Sequence, residues 1–216
     1  MRIKLYITLL VIAFTTGGLK AQTIYANTIP TKRQETKSLN SLFLINYNMG
    51  FANGEIQDFT QTNSFRGTSM EYRAFLSNQV SIGLAADYQN FYDAKGKETM
   101  NYQDAELTGN AFNWVYSTTV MATMHYYLKN PAISKITPFV GLGAGGVYTN
   151  YEKTLGGVRF QGDEWQFGLA PEAGFLVRLN NHLFFNASAR YNYTFESSDM
   201  NSQKYWTIKT GFAFAF

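Results

Sequence analysis

The sequence predicts an all-β fold, an eight-stranded antiparallel up-and-down transmembrane β-barrel, from three observations. Apolar residues recur at every second position in eight separate segments, which is the period of a strand with one apolar face. Short and long connections alternate between these segments. The mean hydropathy is only −0.21 although 45% of the residues are hydrophobic, a dilution typical of barrels because their lumen-facing residues are small or polar.

Composition excludes several classes of function. No apolar run reaches the roughly 18 residues that a membrane-spanning helix needs. The formal net charge of +3 is too small and too evenly spread for a nucleic-acid-binding protein. The chain has no cysteine, so neither a disulfide framework nor a thiolate metal site is possible, and two histidines leave little material for a histidine-based site.

The N-terminal segment has the organisation of a secretory signal. Arg2 and Lys4 precede an apolar stretch at residues 5–14, and small residues lead to a cleavage site after Ala21. We therefore expect a signal peptide at 1–21 and export of the chain. Residues 22–38 are polar and aperiodic, which predicts a flexible periplasmic extension. The barrel domain is expected at 39–216.

Eight alternating segments predict the strands. In the first, Phe43, Ile45 and Tyr47 alternate with Leu44, Asn46 and Asn48. An even number of alternating segments of about ten residues is typical of outer-membrane barrels. The predicted strands cover residues 42–52, 67–76, 80–89, 114–128, 136–148, 165–177, 183–193 and 205–216.

The connections predict how the barrel is oriented. Those at 77–78, 129–135 and 180–182 are short, whereas those at 54–66, 93–113, 149–164 and 196–204 are longer, polar and charged. Short periplasmic turns and long extracellular loops are usual in such barrels. Both ends of the barrel domain would then lie in the periplasm.

The apolar face is expected to point outward. A soluble lipocalin-like barrel would have to hold the large apolar set in its interior. An eight-stranded barrel is only just wide enough for packed side chains, so its interior suits the small and polar set better. Aromatic residues of the apolar set lie near segment ends, where two membrane interfaces would be. Towards the loops these are Phe51, Tyr88, Trp114, Tyr116, Tyr148, Trp165, Tyr193 and Trp206, and towards the turns Phe43, Tyr126, Phe175, Phe214 and Phe216.

The polar face carries six charged residues well inside the segments. They are Glu71, Arg73, Asp87, Glu172, Arg190 and Lys209. Neighbouring strands would let Glu172, Arg190 and Lys209 pair at mid-height, and would bring Glu71 or Arg73 near Asp87. Charges in a low-dielectric interior persist only when they are paired or hydrated. We interpret the set as a structural lumen network and not as a catalytic or conducting site.

Two motifs that suggest other functions have simpler interpretations. The run Gly141-Leu-Gly143-Ala-Gly145-Gly146 matches a dinucleotide-binding fingerprint, but that fingerprint needs a helix at its third glycine, and the sequence continues here as strand. His125 lacks the following serine that a barrel-type lipid A deacylase would have, because Tyr126 and Tyr127 follow it. No catalytic, cofactor-binding or metal site is predicted.

The last segment carries a second signal. Lys209, Gly211, Phe214 and Phe216 resemble the C-terminal pattern by which outer-membrane barrels are recognised for insertion. With Pro138-Phe-Val-Gly-Leu-Gly-Ala-Gly145, Pro171-Glu-Ala-Gly-Phe175 and Ala189-Arg-Tyr-Asn-Tyr193, the chain resembles the eight-stranded outer-membrane β-barrel family of the outer-membrane protein A transmembrane domain and opacity-type proteins, the "porin family" barrels. The peptidoglycan-binding domain of full-length outer-membrane protein A does not follow.

The resemblance implies a location in the outer membrane of a Gram-negative envelope, contact with lipid and lipopolysaccharide, insertion by the barrel-assembly machinery, and no cofactor. The function we expect is non-enzymatic, either structural or a surface interaction through the extracellular loops. A small porin-like channel is the first alternative, although a filled lumen opposes free diffusion. A lipid-modifying barrel enzyme is the second. The sequence names no loop partner.

Overall fold

The barrel consists of eight antiparallel strands whose order in space is their order in the chain. The computed structural model describes residues 38–102, 105–197 and 200–216. β1 pairs with both β2 and β8, which closes the ring and confirms the predicted eight-stranded up-and-down barrel. The strands are β1 (Ser41–Asn53), β2 (Ser64–Phe75), β3 (Val80–Tyr102), β4 (Ala105–Tyr127), β5 (Ile136–Leu155), β6 (Val158–Arg178), β7 (Leu183–Thr194) and β8 (Lys204–Ala215).

Two predicted segments lie mostly or wholly outside the described residues. These are the signal peptide at 1–21 and the N-terminal periplasmic segment at 22–38, of which only Ser38 is described. Within the described ranges, no helix is both long enough and apolar enough to cross a membrane.

Side chains alternate between the lumen and the outer surface along the strands. In β7 every second residue from Phe184 to Thr194 is buried, because successive side chains of a strand point to opposite faces. Large apolar side chains such as Ile45, Leu84 and Leu142 are about half exposed on the outside. The apolar set therefore covers the outer wall, as the alternation predicts.

Four strands continue beyond the others at one end of the barrel. Towards this end, Gln89 is the last β3 residue that pairs with β2, and Gly168 is the last β6 residue that pairs with β7. Beyond these residues, β3, β4, β5 and β6 remain paired with one another. We call this part of the sheet the extension; it comprises residues 91–102, 105–116, 149–155 and 158–167. We call its end of the barrel the loop end and the opposite end the turn end.

The extension corrects the prediction that 93–113 and 149–164 are loops. Both segments are strand hairpins, and the two hairpins pair with each other as far as Ala111 and Leu155. Charged residues and a bulge between Lys95 and Lys97 interrupt the alternation in the first hairpin, so its sequence lacks the clean period of a half-buried strand. Cross-strand pairing, which a single segment does not reveal, is what makes these residues extended.

A short helix, α1 (Glu55–Thr60), follows β1 and was not predicted. Its Ile56 is fully buried against Phe91, Val115 and Tyr205, whose side chains point inward from three strands. The helix therefore lies over the loop-end opening of the lumen. Six residues with a single buried apolar contact are too few to give a recognisable helical period.

Candidate functional site

The six charged residues predicted for the lumen meet in one cluster. Arg190 on β7 occupies its centre and is 2% exposed. Its Nη2 lies 2.6 Å from Oε2 of Glu172 and its Nη1 lies 2.8 Å from Oδ2 of Asp87. Lys209 reaches the same aspartate, with Nζ 2.7 Å from Oδ1. Asp87 thus joins two cations that come from β7 and β8, although it lies on β3.

The second half of the cluster is built around Arg73. Its Nη2 lies 2.8 Å from Oε2 of Glu71 and 3.6 Å from Oε1 of Glu172. Thr123 donates a hydrogen bond of 2.9 Å to the other oxygen of Glu71. The Arg73 guanidinium also stacks 4.8 Å from the centre of the Phe139 ring, a favourable placement for a cation. Glu172 links the two halves because both arginines approach it.

The predicted pairings differ in part from those observed. Glu172 and Arg190 are direct cross-strand partners, as neighbouring strands suggest. Lys209, however, contacts Asp87 instead of Glu172, and Asp87 contacts Arg190 instead of Glu71 or Arg73. The lumen is narrow enough for long side chains to cross it, so partners on non-adjacent strands become available.

His125 belongs to this neighbourhood, although the sequence alone predicts no contacts for it. Its Nε2 lies 3.6 Å from Oε1 of Glu71, and its ring packs edge-on against Phe139 at 5.5 Å. The alternation along β4 could have placed His125 in the lumen, because it lies on the same face of the strand as Thr123. Its neighbours in the fold, unlike its parity, depend on the register of four strands.

The cluster offers three possible metal ligands, but it lacks the excess negative charge that would bind a divalent cation. One atom each of Glu71, His125 and Glu172 lies within 4.8 Å of the others. The three carboxylates of the cluster are already balanced by two guanidinium groups and one ammonium group. A divalent cation would add uncompensated positive charge to a buried site, which is strongly unfavourable. The arrangement fits a closed ion-pair cluster.

Apolar side chains pack together in the lumen on each side of the charges. At the turn end the buried side chains of Leu44, Tyr127, Phe139 and Phe184 pack together. These are lumen-facing residues, so the lumen holds large apolar groups in addition to the small and polar set that the alternation predicts. At the loop end the layer is the contact of Ile56 with Phe91, Val115 and Tyr205.

The four residues of the predicted insertion signal occupy different environments. Lys209 is buried in the lumen, whereas Phe214 and Phe216 are exposed on the outer wall at the turn end. Gly211 lies where β8 approaches β1 closely, since an added Cβ would be 2.0 Å from the Ile45 carbonyl oxygen. Each residue therefore also has a place in the fold that is independent of recognition.

Comparison with solved structures identifies proteins of the same architecture. The chain is similar to the attachment invasion locus protein Ail of Yersinia pestis, solved with the heparin analogue sucrose octasulfate (16% identity, 83% of this chain and 99% of that chain, TM-score 0.54). It is also similar to Neisserial surface protein A (14%, 82% and 97%, TM-score 0.53) and to the outer membrane protein OprG of Pseudomonas aeruginosa (18%, 83% and 97%, TM-score 0.50).

These likenesses show that the chain has the fold of eight-stranded outer-membrane barrels. At 14–18% identity they show the fold alone. No family model matches the sequence, and no curated protein matches it.

Proposed function

We propose that the protein is an exported outer-membrane barrel that does not conduct and that acts through the extension at its outer surface. The apolar outer wall supports a membrane location, because an exposed apolar belt around a whole barrel is stable in lipid and not in water. The signal peptide predicted at 1–21 supports export. The turn end would then face the periplasm and the extension the outside.

The packing of two apolar layers in the lumen is the observation that carries this proposal, because together they would close it. An ion moving along the axis would have to pass the Tyr127 and Phe139 layer, displace the contacts of Arg190, and then pass Ile56. The main polar groups of these layers are the hydroxyls of Tyr127 and Tyr205, which are already hydrogen-bonded to Arg73, Ser81 and Ser117. They offer little to replace the hydration of an ion, and leaving buried charges unpaired costs several kcal/mol. The same closure separates the carboxylates from any substrate, so we assign the cluster a structural role and no catalytic one.

The charge of the loop end suggests what kind of partner the extension meets. Among the described residues there, nine are acidic and six are basic. The acidic ones are Glu55, Asp58, Asp93, Glu98, Glu106, Glu152, Asp163, Glu164 and Glu196, and the basic ones Arg66, Lys95, Lys97, Lys153, Arg159 and Lys204. A sulfated polyanion such as the ligand solved with the Yersinia protein would be repelled. We therefore expect a neutral or cationic partner.

Insertion forms part of the proposal as well. Lys209, Gly211, Phe214 and Phe216 would be the signal read by the barrel-assembly machinery, and lipopolysaccharide and phospholipid would contact the belt. The exposure of Phe214 and Phe216 on the outer wall at the turn end supports this, because a second protein can reach them there.

Planar-bilayer recordings test the sealed lumen. The refolded full chain should produce no discrete conductance steps under conditions in which a general porin, added as a positive control, does. Regular steps from the wild-type chain would contradict the proposal and support the channel alternative.

A shortened variant tests the role of the extension. Residues 93–113 can be replaced by Asn-Gly, since Tyr92 and Trp114 are cross-strand partners and a two-residue turn can join them. The barrel should still assemble and migrate as a heat-modifiable band, while binding of cells to a surface or host protein is lost. Unchanged surface binding by an assembled variant would remove the extension from the proposal.

A further inference from the structure

The turn end of the barrel carries a compact group of basic residues on one arc of its rim. Lys129 and Lys135 flank the connection between β4 and β5, and Arg178 ends the neighbouring strand β6. The two other connections at this end, residues 76–79 and 179–182, contain no lysine, arginine or acidic residue. Among residues 38–102, 105–197 and 200–216, the lysines and arginines of this rim therefore lie on its β4–β6 side.

This arc is built as a fixed structure. Asn130 holds the connection in a tight turn, because its side-chain oxygen accepts a hydrogen bond of 2.9 Å from the Ala132 amide and its carbonyl accepts one of 3.0 Å from the Ser134 amide. Arg178 then fastens the turn to β6. It donates 2.6 Å and 3.0 Å hydrogen bonds to the Ala132 and Ile133 carbonyls, and its amide donates one of 2.8 Å to the Lys135 carbonyl.

The three cations have no carboxylate partner among the described residues. No ion pair within 4 Å involves Lys129, Lys135 or Arg178 in the part of the chain that the structure describes. Backbone carbonyls satisfy hydrogen bonds of Arg178 but do not neutralise its charge. The arc thus presents net positive charge at the level where strands end.

Large exposed apolar side chains adjoin these charges. Ile133 projects from the turn and is 59% exposed, and Leu128, Ile136 and Leu179 are each more than half exposed beside it. They lie at the turn-end edge of the apolar outer wall. A basic group next to exposed apolar side chains matches a ligand with an anionic head and apolar chains.

We infer that this arc is a binding site for an anionic phospholipid of the inner leaflet. The lipid phosphate lies against Lys129, Lys135 and Arg178, and its acyl chains lie along Leu128 and Ile136. An acidic protein would pair with the charges, but it would not account for the exposed apolar side chains beside them. The inference rests on the proposed membrane location, with the turn end in the periplasm, and not on the closed lumen.

Lipid selectivity measured by electron spin resonance tests the inference. The full chain is reconstituted in phosphatidylcholine vesicles containing either spin-labelled phosphatidylglycerol or spin-labelled phosphatidylcholine. Wild-type protein should immobilise the anionic label preferentially. Lys129→Gln with Lys135→Gln should lower that preference by about fivefold or more, since one lysine near a membrane surface contributes about that factor. The preference should also weaken in high salt.

A matched pair of lysines provides the control. Lys95→Gln with Lys97→Gln removes the same charge from the loop end and should leave the selectivity unchanged. Equal selectivity for both labels in the wild type, or equal losses in the two double variants, would overturn the inference.

Soluble competitors distinguish other sources of the anion. Inorganic phosphate and poly-glutamate, each added at matched ionic strength, should not displace the labelled lipid. Displacement by phosphate would indicate a site for a soluble anion, and displacement by poly-glutamate would indicate a docking surface for an acidic protein; either result refutes a lipid site. A barrel that shows no lipid selectivity but also no conductance would refute this inference alone and leave the proposed function intact.

Discussion

Replacing Arg190 by methionine should destabilise the barrel strongly. Arg190 is the group through which Glu172 and Asp87 are both neutralised, at 2.6 Å and 2.8 Å. Methionine has a similar length but no charge, so the variant keeps three buried carboxylates and only two cations. Removing one partner of a buried ion pair costs about 3–5 kcal/mol. Because Arg190 contacts two carboxylates closely and is 2% exposed, we expect a loss in the upper half of that range.

A charge-balanced double variant separates electrostatics from packing. Combining Arg190→Met with Asp87→Asn leaves Glu71 and Glu172 with Arg73 and Lys209, so the cluster is neutral again. The double variant should recover at least half of the stability that Arg190→Met loses, although each single change is destabilising. Such non-additivity is expected for residues in one network.

Urea unfolding of the chain in lipid vesicles provides the measurement, with fluorescence of the tryptophans near the loop end as the signal. A loss of less than about 1 kcal/mol for Arg190→Met would refute the reasoning. It would mean that water reaches the cluster and hydrates the orphaned carboxylates, and the lumen would then not be sealed.

Three further predictions concern orientation, the outer wall and assembly. Leu84→Arg should lower the free energy of unfolding in lipid by about 2–4 kcal/mol, because it places a charge on the lipid face near the midplane, and Leu84→Ala should cost much less; equal costs would argue against a lipid-facing Leu84. On intact cells, a cysteine replacing Lys97 should react with an impermeant maleimide and one replacing Asn181 should not; the reverse pattern would mean an inverted barrel. Phe214→Ala with Phe216→Ala should leave the chain unassembled and degraded in the periplasm, and a normal level of heat-modifiable protein in outer-membrane fractions would contradict the insertion signal.

The barrel itself could be predicted from the sequence because its main determinant is local. A period of two assigns each residue to one face, and eight such segments with apolar residues on one parity leave few alternatives to a closed ring. The side of the wall on which Leu84 or Arg190 lies follows from that parity alone. The membership of Glu71, Arg73, Asp87, Glu172, Arg190 and Lys209 in the lumen was predictable for the same reason.

The pairing of those charges was not predictable, because it depends on distances across the lumen. Lys209 meets Asp87, 122 positions away in the chain, and not the nearer Glu172. Similarly, charged residues and a bulge interrupt the alternation of apolar and polar residues in the first hairpin of the extension. These residues are extended because they pair with neighbouring strands, as Ala111 on β4 pairs with Leu155 on β5.

The sequence by itself therefore determined the number of strands, the face on which each strand side chain lies, and the presence of the six charged residues in the lumen, since all three depend on alternation within single segments. Only the tertiary structure decided that α1 covers one opening, that His125 joins the carboxylates, and that apolar layers pack in the lumen on both sides of the charges. Each of these depends on residues from several strands meeting at one height. That height is set by the register around the whole ring, which no single segment encodes.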